Sequence, residues 1–277
     1  STPVVLSKIR FLQNRITRNI PGWTVCLATI SEWLSKNALG DPIYDIDRKS
    51  AHLLISRNIK FLAREYDAIP LGELSCSQMG NPEDLIDIDG KRYTFSFLLH
   101  YLRYLYLSKQ TNISDYEYIV ELGSGMGQFA EIIHQVSPKS AIVLFDIVPA
   151  LYVANRFLSK TYPESCEDYR HTRDQKSLEQ IKSGKIYFFC TGKFPLITGL
   201  KGSLFINCSS FQEMEPHVVK NYLAFVNKSS RSVYLQENFS GKAEANKKGL
   251  PGVLRSTTES DYLESLSNFK CIDRSAG

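Results

Sequence analysis

The stretch Tyr118-Ile119-Val120-Glu121-Leu122-Gly123-Ser124-Gly125-Met126-Gly127-Gln128-Phe129 joins an apolar run to three glycines at alternate positions. The apolar run predicts a buried strand, and the residues from Gln128 onward predict a helix. Glycine tolerates a positive φ and lets the backbone approach a ligand closely, and the free N–H groups at a helix start favour a polar acceptor. The sequence therefore predicts a strand, a tight turn and a helix, with a nucleotide-like pocket at the turn.

Downstream of this turn, short apolar runs alternate with helix-length segments, which is typical of βα units around a parallel sheet. The predicted strands are Tyr118–Leu122, Ala141–Phe145, Ile186–Cys190, Ser203–Asn207, Ser232–Gln236 and Phe269–Ile272. The predicted helices are Gln128–Val136, Pro149–Leu158, Ser177–Ile181, Pro216–Val226 and Glu259–Leu266. We expect an α/β fold with helices on both faces of the sheet.

The residues before this pattern are predicted to be mainly helical. Helices are expected over residues 2–20, about 50–66 and 95–107, with a hairpin at the Asp89-Gly90 pair. The helix over 95–107 is dense in Leu, Tyr and Phe, with His100 and Arg103 embedded in it. We expect residues 1–110 to form a helical cap or lid, and residues 111–277 to form the ligand-binding catalytic domain.

Composition excludes several classes of protein. Apolar residues make up 43% and charged residues 22% of the 277 residues, which is typical of a globular chain and unlike a disordered one. The net charge of +4 is modest, and the nearest approach to a basic run is Lys247-Lys248. Because a nucleic-acid-binding surface needs clustered positive charge, no nucleic-acid partner is expected.

Cysteine usage and hydropathy indicate a cytoplasmic protein with no cysteine-based metal site and no membrane span, while metal dependence of the reaction stays open. The 6 cysteines form no CxxC pair and have no metal-ligand spacing to the 5 histidines, so reduced thiols are expected. No run reaches the roughly 18 apolar residues that a membrane span needs. The N-terminal stretch lacks the uninterrupted apolar core of a signal peptide, because it is broken by Lys8, Arg10, Arg15 and Arg18.

The glycine spacing and a second acid favour S-adenosylmethionine over a nicotinamide cofactor. The turn has the pattern GxGxG after Glu121, whereas dinucleotide-binding turns have GxGxxG. The next predicted strand ends in Asp146, where such folds place a carboxylate that accepts both ribose hydroxyls. The alternative for Asp146 is a helix N-cap before Pro149.

A polar segment follows the strand Ser203–Asn207, where ligands bind at the carboxyl ends of parallel strands. Its first residues are expected to border the cofactor. The predicted cofactor-binding residues are Glu121, Gly123, Ser124, Gly125, Gly127, Gln128, Asp146, Ile147, Asn207 and Cys208.

Three segments together resemble a family of sugar O-methyltransferases, which are class I S-adenosylmethionine-dependent enzymes. They are the glycine turn, Asp146-Ile147-Val148-Pro149 and Asn207-Cys208-Ser209-Ser210-Phe211-Gln212-Glu213-Met214. The likeness covers roughly residues 80 to 240 and extends to Gly80-Asn81-Pro82 and Glu237-Asn238. Departures are Ser124 and Met126 in the turn, and Asp-Ile-Val-Pro where the family often has Asp-Leu-Pro.

The resemblance implies a Rossmann-like sheet and methyl transfer to a hydroxyl of a sugar or glycan precursor, with S-adenosylhomocysteine as the product. Such a reaction needs alignment of the hydroxyl and a base. The catalytic candidates are Glu213, His217 and Glu237, with His100 as a more remote one, and the substrate-binding candidates are Ser209, Ser210 and Asn238. Each candidate also has a structural alternative, such as a first-turn acid or a turn cap.

Two other interpretations stay open. The chain could be a catalytically silent methyltransferase-like binding module, or a methyltransferase for a small molecule other than a sugar. The sequence indicates no particular oligomeric state, acceptor or methylated position.

Overall fold

The computed structural model describes residues 2–8, 59–238, 244–245 and 252–276. The strands are β1 (Thr2–Lys8), β2 (Leu85–Ile88), β3 (Lys91–Thr94), β4 (Tyr118–Leu122), β5 (Ala141–Asp146), β6 (Ile186–Cys190), β7 (Ser203–Cys208), β8 (Ser230–Glu237) and β9 (Phe269–Ala276). The helices are α1 (Phe95–Gln110), α2 (Gln128–Val136), α3 (Val148–Thr161), α4 (Tyr169–Thr172), α5 (Pro216–Ser229) and α6 (Glu259–Ser265). Short 3₁₀ segments include Thr191–Gly199 and Phe211–Glu213.

Seven strands form one sheet in the order β6-β5-β4-β7-β8-β1-β9, and each neighbouring pair is parallel. From β4 the chain moves outward through β5 to β6, and then returns to the other side of β4 with β7 and β8. The strand order therefore reverses between β4 and β7, and open α/β sheets bind ligands at such a point. This arrangement is an α/β, Rossmann-like parallel sheet with a core on each face, as the sequence predicted.

Most of the predicted elements are confirmed, with ends that move by a few residues. β4, β6 and α2 have the predicted bounds, and the hairpin of β2 and β3 turns at Asp89-Gly90. The strands β4, β5 and β7 are buried along nearly their whole length. Continuous apolar runs predict such strands well because both faces of a parallel sheet are covered by helices.

Two predicted helices are wrong. Residues 2–8 belong to the strand β1, which pairs with β8 and β9, and residues 9–20 lie outside the described residues. The β-branched pair Val4-Val5 favours a strand where partner strands are at hand. Residues 177–181 contain no helix, and the short helix of that region is α4, where the Asp168 carboxylate accepts a hydrogen bond from the Arg170 N–H.

The N-terminal part of the described chain packs on the sheet. Residues 59–65 are helical, as expected within the predicted helix at 50–66, whose first residues lie outside the described ranges. Buried side chains from residues 59–107 form one core with α2, α3 and one face of β4 to β7. The predicted division of the chain near residue 110 remains a prediction. Among the described residues, no helix is long and apolar enough to cross a membrane.

The opposite face of the sheet has a second core, in which Phe194 is the central ring. Its centroid lies 5.1 Å from that of Phe145, 6.0 Å from Phe205 and 5.0 Å from Tyr222, and the side chain is fully buried. Phe194 therefore connects the segment Thr191–Gly199 to both the sheet and α5.

We predict that Phe194→Ala lowers the free energy of unfolding by about 3 to 5 kcal/mol, because it removes a buried ring and leaves a cavity. Urea denaturation measures this loss. The control is Tyr152→Ala, whose side chain is 65% exposed and whose effect should stay within about 0.5 kcal/mol. Equal effects of the two substitutions would contradict the central position of Phe194.

Candidate functional site

The glycine turn leaves β4 with all three glycines at positive φ, namely 77° at Gly123, 54° at Gly125 and 82° at Gly127. Two of them are also required by close packing. A Cβ on Gly123 would lie 2.3 Å from the Ser210 side chain, and a Cβ on Gly127 would lie 2.7 Å from Leu158. A Cβ on Gly125 would meet nothing within 4 Å. The turn is therefore packed at its two ends and open at its middle.

The Asp146 carboxylate is fixed against this open middle. Its Oδ2 accepts a hydrogen bond from the Gly125 N–H at 2.7 Å, and its Oδ1 accepts one from the Ile147 N–H at 2.7 Å. Burial raises the pKa of Asp146, and the two N–H groups oppose that shift. Ile147, and not Asp146, is the N-cap residue of α3, so the alternative prediction of Asp146 as that N-cap is wrong.

Exposed apolar side chains and one unpaired buried hydroxyl lie close to Gly125 and Asp146 in the chain. Ile147 and Val148 are each 61% exposed at the start of α3. The Ser124 hydroxyl is buried in the turn and has no hydrogen-bond partner within the described ranges. These are the features of a surface that a ligand would cover, because large exposed apolar groups and buried orphan hydroxyls are both unusual.

Asn207 connects β7 to the end of β4. Its Nδ2 donates to the Leu122 carbonyl at 2.9 Å and to the Ser210 hydroxyl at 2.7 Å, and its Oδ1 accepts from the Phe211 N–H at 3.2 Å. The side chain is fully buried. In this geometry Asn207 and Ser210 position the glycine turn, and their predicted ligand contacts remain predictions.

A group of ionisable side chains lies on α1 and at the carboxyl ends of β4, β7 and β8. We call Glu121, Glu237, Cys208 and Arg103 the polar cluster. Burial raises the pKa of Glu121 to about 8, with Arg103 lowering it and Asp146 raising it further. Burial also raises the pKa of the Cys208 thiol to about 12. The cluster therefore holds neutral acids close to one permanent cation.

Glu237, at the end of β8, is only 1% exposed. Its Oε2 accepts a hydrogen bond from the Gln212 N–H at 3.0 Å, while Oε1 has no partner in the described part of the chain. Burial raises the pKa of Glu237 to about 8, and backbone N–H groups of the Ser209–Gln212 segment and the Arg103 charge oppose that shift. Glu237 thus has one carboxyl oxygen fixed and one available.

His100 and Arg103 lie one turn apart on α1. An Arg103 guanidinium nitrogen lies 2.9 Å from His100 Nδ1, and the imidazole stacks on Phe129 with ring centroids 5.5 Å apart. Arginine only donates hydrogen bonds, so Nδ1 accepts and the neutral ring carries its proton on Nε2. Burial and Arg103 hold the pKa of His100 well below its usual range. His100 therefore offers a donor and no basic nitrogen.

The other two catalytic candidates lie at the surface. Glu213 ends the 3₁₀ segment Phe211–Glu213, His217 lies in the first turn of α5, and both side chains are exposed. The Asn238 N–H donates to Gln212 Oε1 at 2.8 Å, next to Glu237. The structure thus brings Glu121, Asp146 and Glu237 to one edge of the sheet and leaves Glu213 and His217 outside that group.

Two further features border the site. A groove of about 630 Å³ lies beside the glycine turn, between the residues before α1 and the outer faces of α2 and α3, with Met79, Met126, Gln128 and Phe157 in its lining. Gln128 also accepts a hydrogen bond from the Ser96 hydroxyl of α1. Within the described ranges, no three His, Cys, Asp or Glu side chains are grouped to hold a metal ion.

Sequence reasoning noted Arg103 but gave it no role. The available signal was a permanent cation inside a helix that is otherwise rich in Leu, Tyr and Phe. Such a residue is rarely buried without a partner of opposite charge. The identity of that partner depends on how α1 packs on the sheet, and the sequence pattern does not give this packing.

The raised pKa values predict a stability that falls as pH rises. Between the ordinary value of 4.5 and about 8, native Glu121 keeps a proton that the unfolded chain releases. The unfolded state then binds fewer protons, so the free energy of unfolding decreases with pH over this window, by at most about 1.4 kcal/mol per pH unit for each such group. Glu121→Gln, which mimics the protonated acid, should make this decrease smaller.

Urea denaturation between pH 5 and pH 9 measures this slope in the wild type and the variant. The matched control is Glu213→Gln, which replaces an exposed carboxylate and should leave the slope unchanged. An unaltered slope in Glu121→Gln would show that Glu121 is ionised in the native protein at neutral pH.

Comparison with known proteins gives structural neighbours and no family. No protein-family model matches the chain, and no curated protein matches it in sequence. Three solved methyltransferases resemble it. Magnesium protoporphyrin IX methyltransferase from Synechocystis PCC 6803, with bound SAH, has a TM-score of 0.39 and 10% identity over 62% of this chain and 72% of its own. Mitomycin 7-O-methyltransferase has a TM-score of 0.38 and 13% identity, and the match covers 84% of this chain and 68% of that protein. Human N-acetylserotonin methyltransferase, in complex with SAM, has a TM-score of 0.39 and 12% identity, and the match covers 90% of this chain and 61% of that protein.

Proposed function

We propose that the chain binds S-adenosylmethionine at the glycine turn and transfers its methyl group to a hydroxyl of a sugar or glycan precursor. The observation that carries the proposal is the Asp146 carboxylate, fixed by the Gly125 N–H beside a turn that is open at Gly125. Each carboxylate oxygen can accept a further hydrogen bond. Asp146 can therefore accept both ribose hydroxyls while it keeps its two backbone donors.

The remaining parts of the cofactor have matching surroundings. The exposed Ile147 offers an apolar surface for the adenine ring next to the ribose. The orphan Ser124 hydroxyl would gain a polar partner in the turn. Glu121 lies at the end of β4, where a buried acid attracts the cofactor's ammonium group, and a bound cation lowers the pKa of a neighbouring carboxyl. The proposed cofactor would thus make apolar, hydrogen-bonding and charged contacts with residues at the same edge of the sheet.

The cofactor supplies a methyl group that its sulfonium already activates, so the protein has to orient the hydroxyl and remove its proton. We propose Glu237 as the base that accepts this proton. Its Oε1 has no partner in the described chain, and its pKa is raised to about 8. A base is most effective when its pKa lies near the working pH. The side chains of Glu213 and His217 are exposed and lie outside the group of residues at this sheet edge.

The acceptor class rests on the resemblance of the glycine turn, the Asp146 segment and the Asn207 segment to sugar O-methyltransferases. Ser209 and Asn238 directly follow the last residues of β7 and β8, at the same sheet edge as Glu237, and we propose them as residues that bind hydroxyl groups. The acceptor is therefore proposed to be polar and rich in hydroxyls.

Asp146→Ala is expected to weaken binding of S-adenosylhomocysteine by about 1 to 3 kcal/mol, because hydrogen bonds to a charged acceptor are lost. Isothermal titration calorimetry measures this, with NAD as the comparison ligand and Asp174→Ala, an exposed acid outside the site, as the matched control. Unchanged affinity in Asp146→Ala would contradict the ribose assignment. Binding of NAD in preference to S-adenosylhomocysteine would contradict the cofactor.

Glu237→Gln is expected to leave S-adenosylhomocysteine affinity unchanged and to slow methyl transfer by roughly 10² to 10⁴-fold. The rate is measured as S-adenosylhomocysteine formed with nucleotide sugars and glycans as acceptors. In the wild type, kcat/KM for the cofactor should rise with pH and level off above about 8, because the base of the free protein must lose its proton.

The controls for this test are Glu213→Gln and His217→Gln. Full activity of Glu237→Gln together with a loss in either control would move the base to that residue. Cofactor binding without turnover on any acceptor would favour the silent binding module, and turnover only on acceptors that are not sugars would correct the substrate class.

A further inference from the structure

Arg103 in α1 is a cation with unused donors. Its only hydrogen bond within the described ranges goes to His100 Nδ1, and none of the ion pairs among the described residues includes it. A guanidinium has several further N–H donors in a planar fork that matches a carboxylate. The Arg103 side chain is half-buried.

Contacts between α1 and α2 fix where Arg103 lies. The Ser96 hydroxyl donates to Gln128 and His100 stacks on Phe129, so α1 is held against the start of α2, directly after the glycine turn. From there the Arg103 charge lowers the pKa of Glu121, Cys208 and Glu237. Arg103, on the helix packed against α2, therefore lies near the carboxyl ends of β4, β7 and β8.

A second unsatisfied group lies on the same face of the sheet. Both amide atoms of Gln236 have no partner in the described chain, although the side chain is only 1% exposed. Gln236 is in register with Cys208, and Tyr234, two residues earlier on β8, packs in the core that includes α1. A buried primary amide without hydrogen bonds is costly. The Gln236 amide is therefore a second polar group on this face that can bind a ligand.

The charges select the kind of ligand. An anion alone would be repelled by the ionised forms of Glu121 and Glu237, and a cation alone would be repelled by Arg103. Of the groups that face Arg103, His100 is neutral and Cys208 is a thiol, so the two acids and one arginine set the field. A group with an ammonium and a carboxylate a few bonds apart satisfies both signs.

We propose that Arg103 binds the carboxylate of the amino-acid end of the cofactor, opposite Glu121, which binds its ammonium group. This inference rests on the proposed function, since it names the residue that holds one end of the proposed cofactor. It makes α1 part of the cofactor site and gives the Arg103 guanidinium the partner that the described chain does not supply.

The experiment compares two ligands that share the nucleoside and thioether. S-adenosylhomocysteine has the amino-acid end, and 5′-methylthioadenosine lacks it. Arg103→Met should lower the affinity for S-adenosylhomocysteine by about 10- to 100-fold and leave that for 5′-methylthioadenosine unchanged, since only the first ligand has the carboxylate. Arg103→Gln, which keeps polar donors without the charge, should give a smaller loss with the same selectivity.

The matched control is Lys109→Met, which removes a cation from the far end of the same helix and should affect neither ligand. Asp146→Ala should weaken both ligands, which shows that the assay reports the nucleoside end as well. Circular dichroism and a thermal melt confirm that each variant is folded.

The outcomes separate this inference from the proposed function. If the wild type binds neither ligand, the proposed function fails and this inference fails with it. If the wild type binds both, but Arg103→Met and Arg103→Gln bind S-adenosylhomocysteine normally or weaken both ligands equally, only the carboxylate assignment to Arg103 is overturned.

Discussion

The hydrogen bond from the Gly125 N–H to the Asp146 carboxylate is the contact on which the site depends. It joins the turn after β4 to the last residue of β5, and the Gly123 N–H adds a bond of 2.8 Å to the Phe145 carbonyl. These bonds hold the turn at positive φ, where glycine is the residue that adopts the conformation at little cost. A carboxylate held by backbone donors is already oriented before any ligand arrives, so binding orders few additional groups.

The same edge of the sheet concentrates acids because parallel strands end together where the strand order reverses. Glu121 lies one residue before the end of β4, and Glu237 is the last residue of β8. Burying a carboxylate in its charged form is costly, so both acids are neutral over a wide pH range. Above that range their burial lowers the stability of the protein. Buried acids with raised pKa values are typical of functional sites, and the proposed cofactor is positively charged.

The sequence predicted those parts of the fold and site that depend on neighbouring residues. Strand β4, the glycine turn and Asp146 follow from local apolar runs and spacing, and their relative placement follows from the parallel sheet. The residues of β1 were predicted to be helical. Their strand conformation depends on pairing with β8 and β9, which lie far along the chain and cannot be identified from the local sequence. Glu213 was a reasonable candidate from its position after β7, but the 3₁₀ segment Phe211–Glu213 leaves its side chain exposed. The role proposed for Arg103 depends on the packing of α1 against α2, which the sequence pattern does not give.

The charge balance of the polar cluster relates cofactor binding to the state of the proposed base. With no cation bound, burial keeps Glu237 protonated up to about pH 8, and the Arg103 charge only partly opposes this. A positive charge placed at the same sheet edge favours ionised carboxyls and lowers their pKa. By linkage, the group that loses a proton when the cation binds also binds that cation more tightly when it is ionised. In the proposed function, Glu237 therefore becomes a better proton acceptor when the sulfonium is present, and its proton uptake follows loss of that charge in the product.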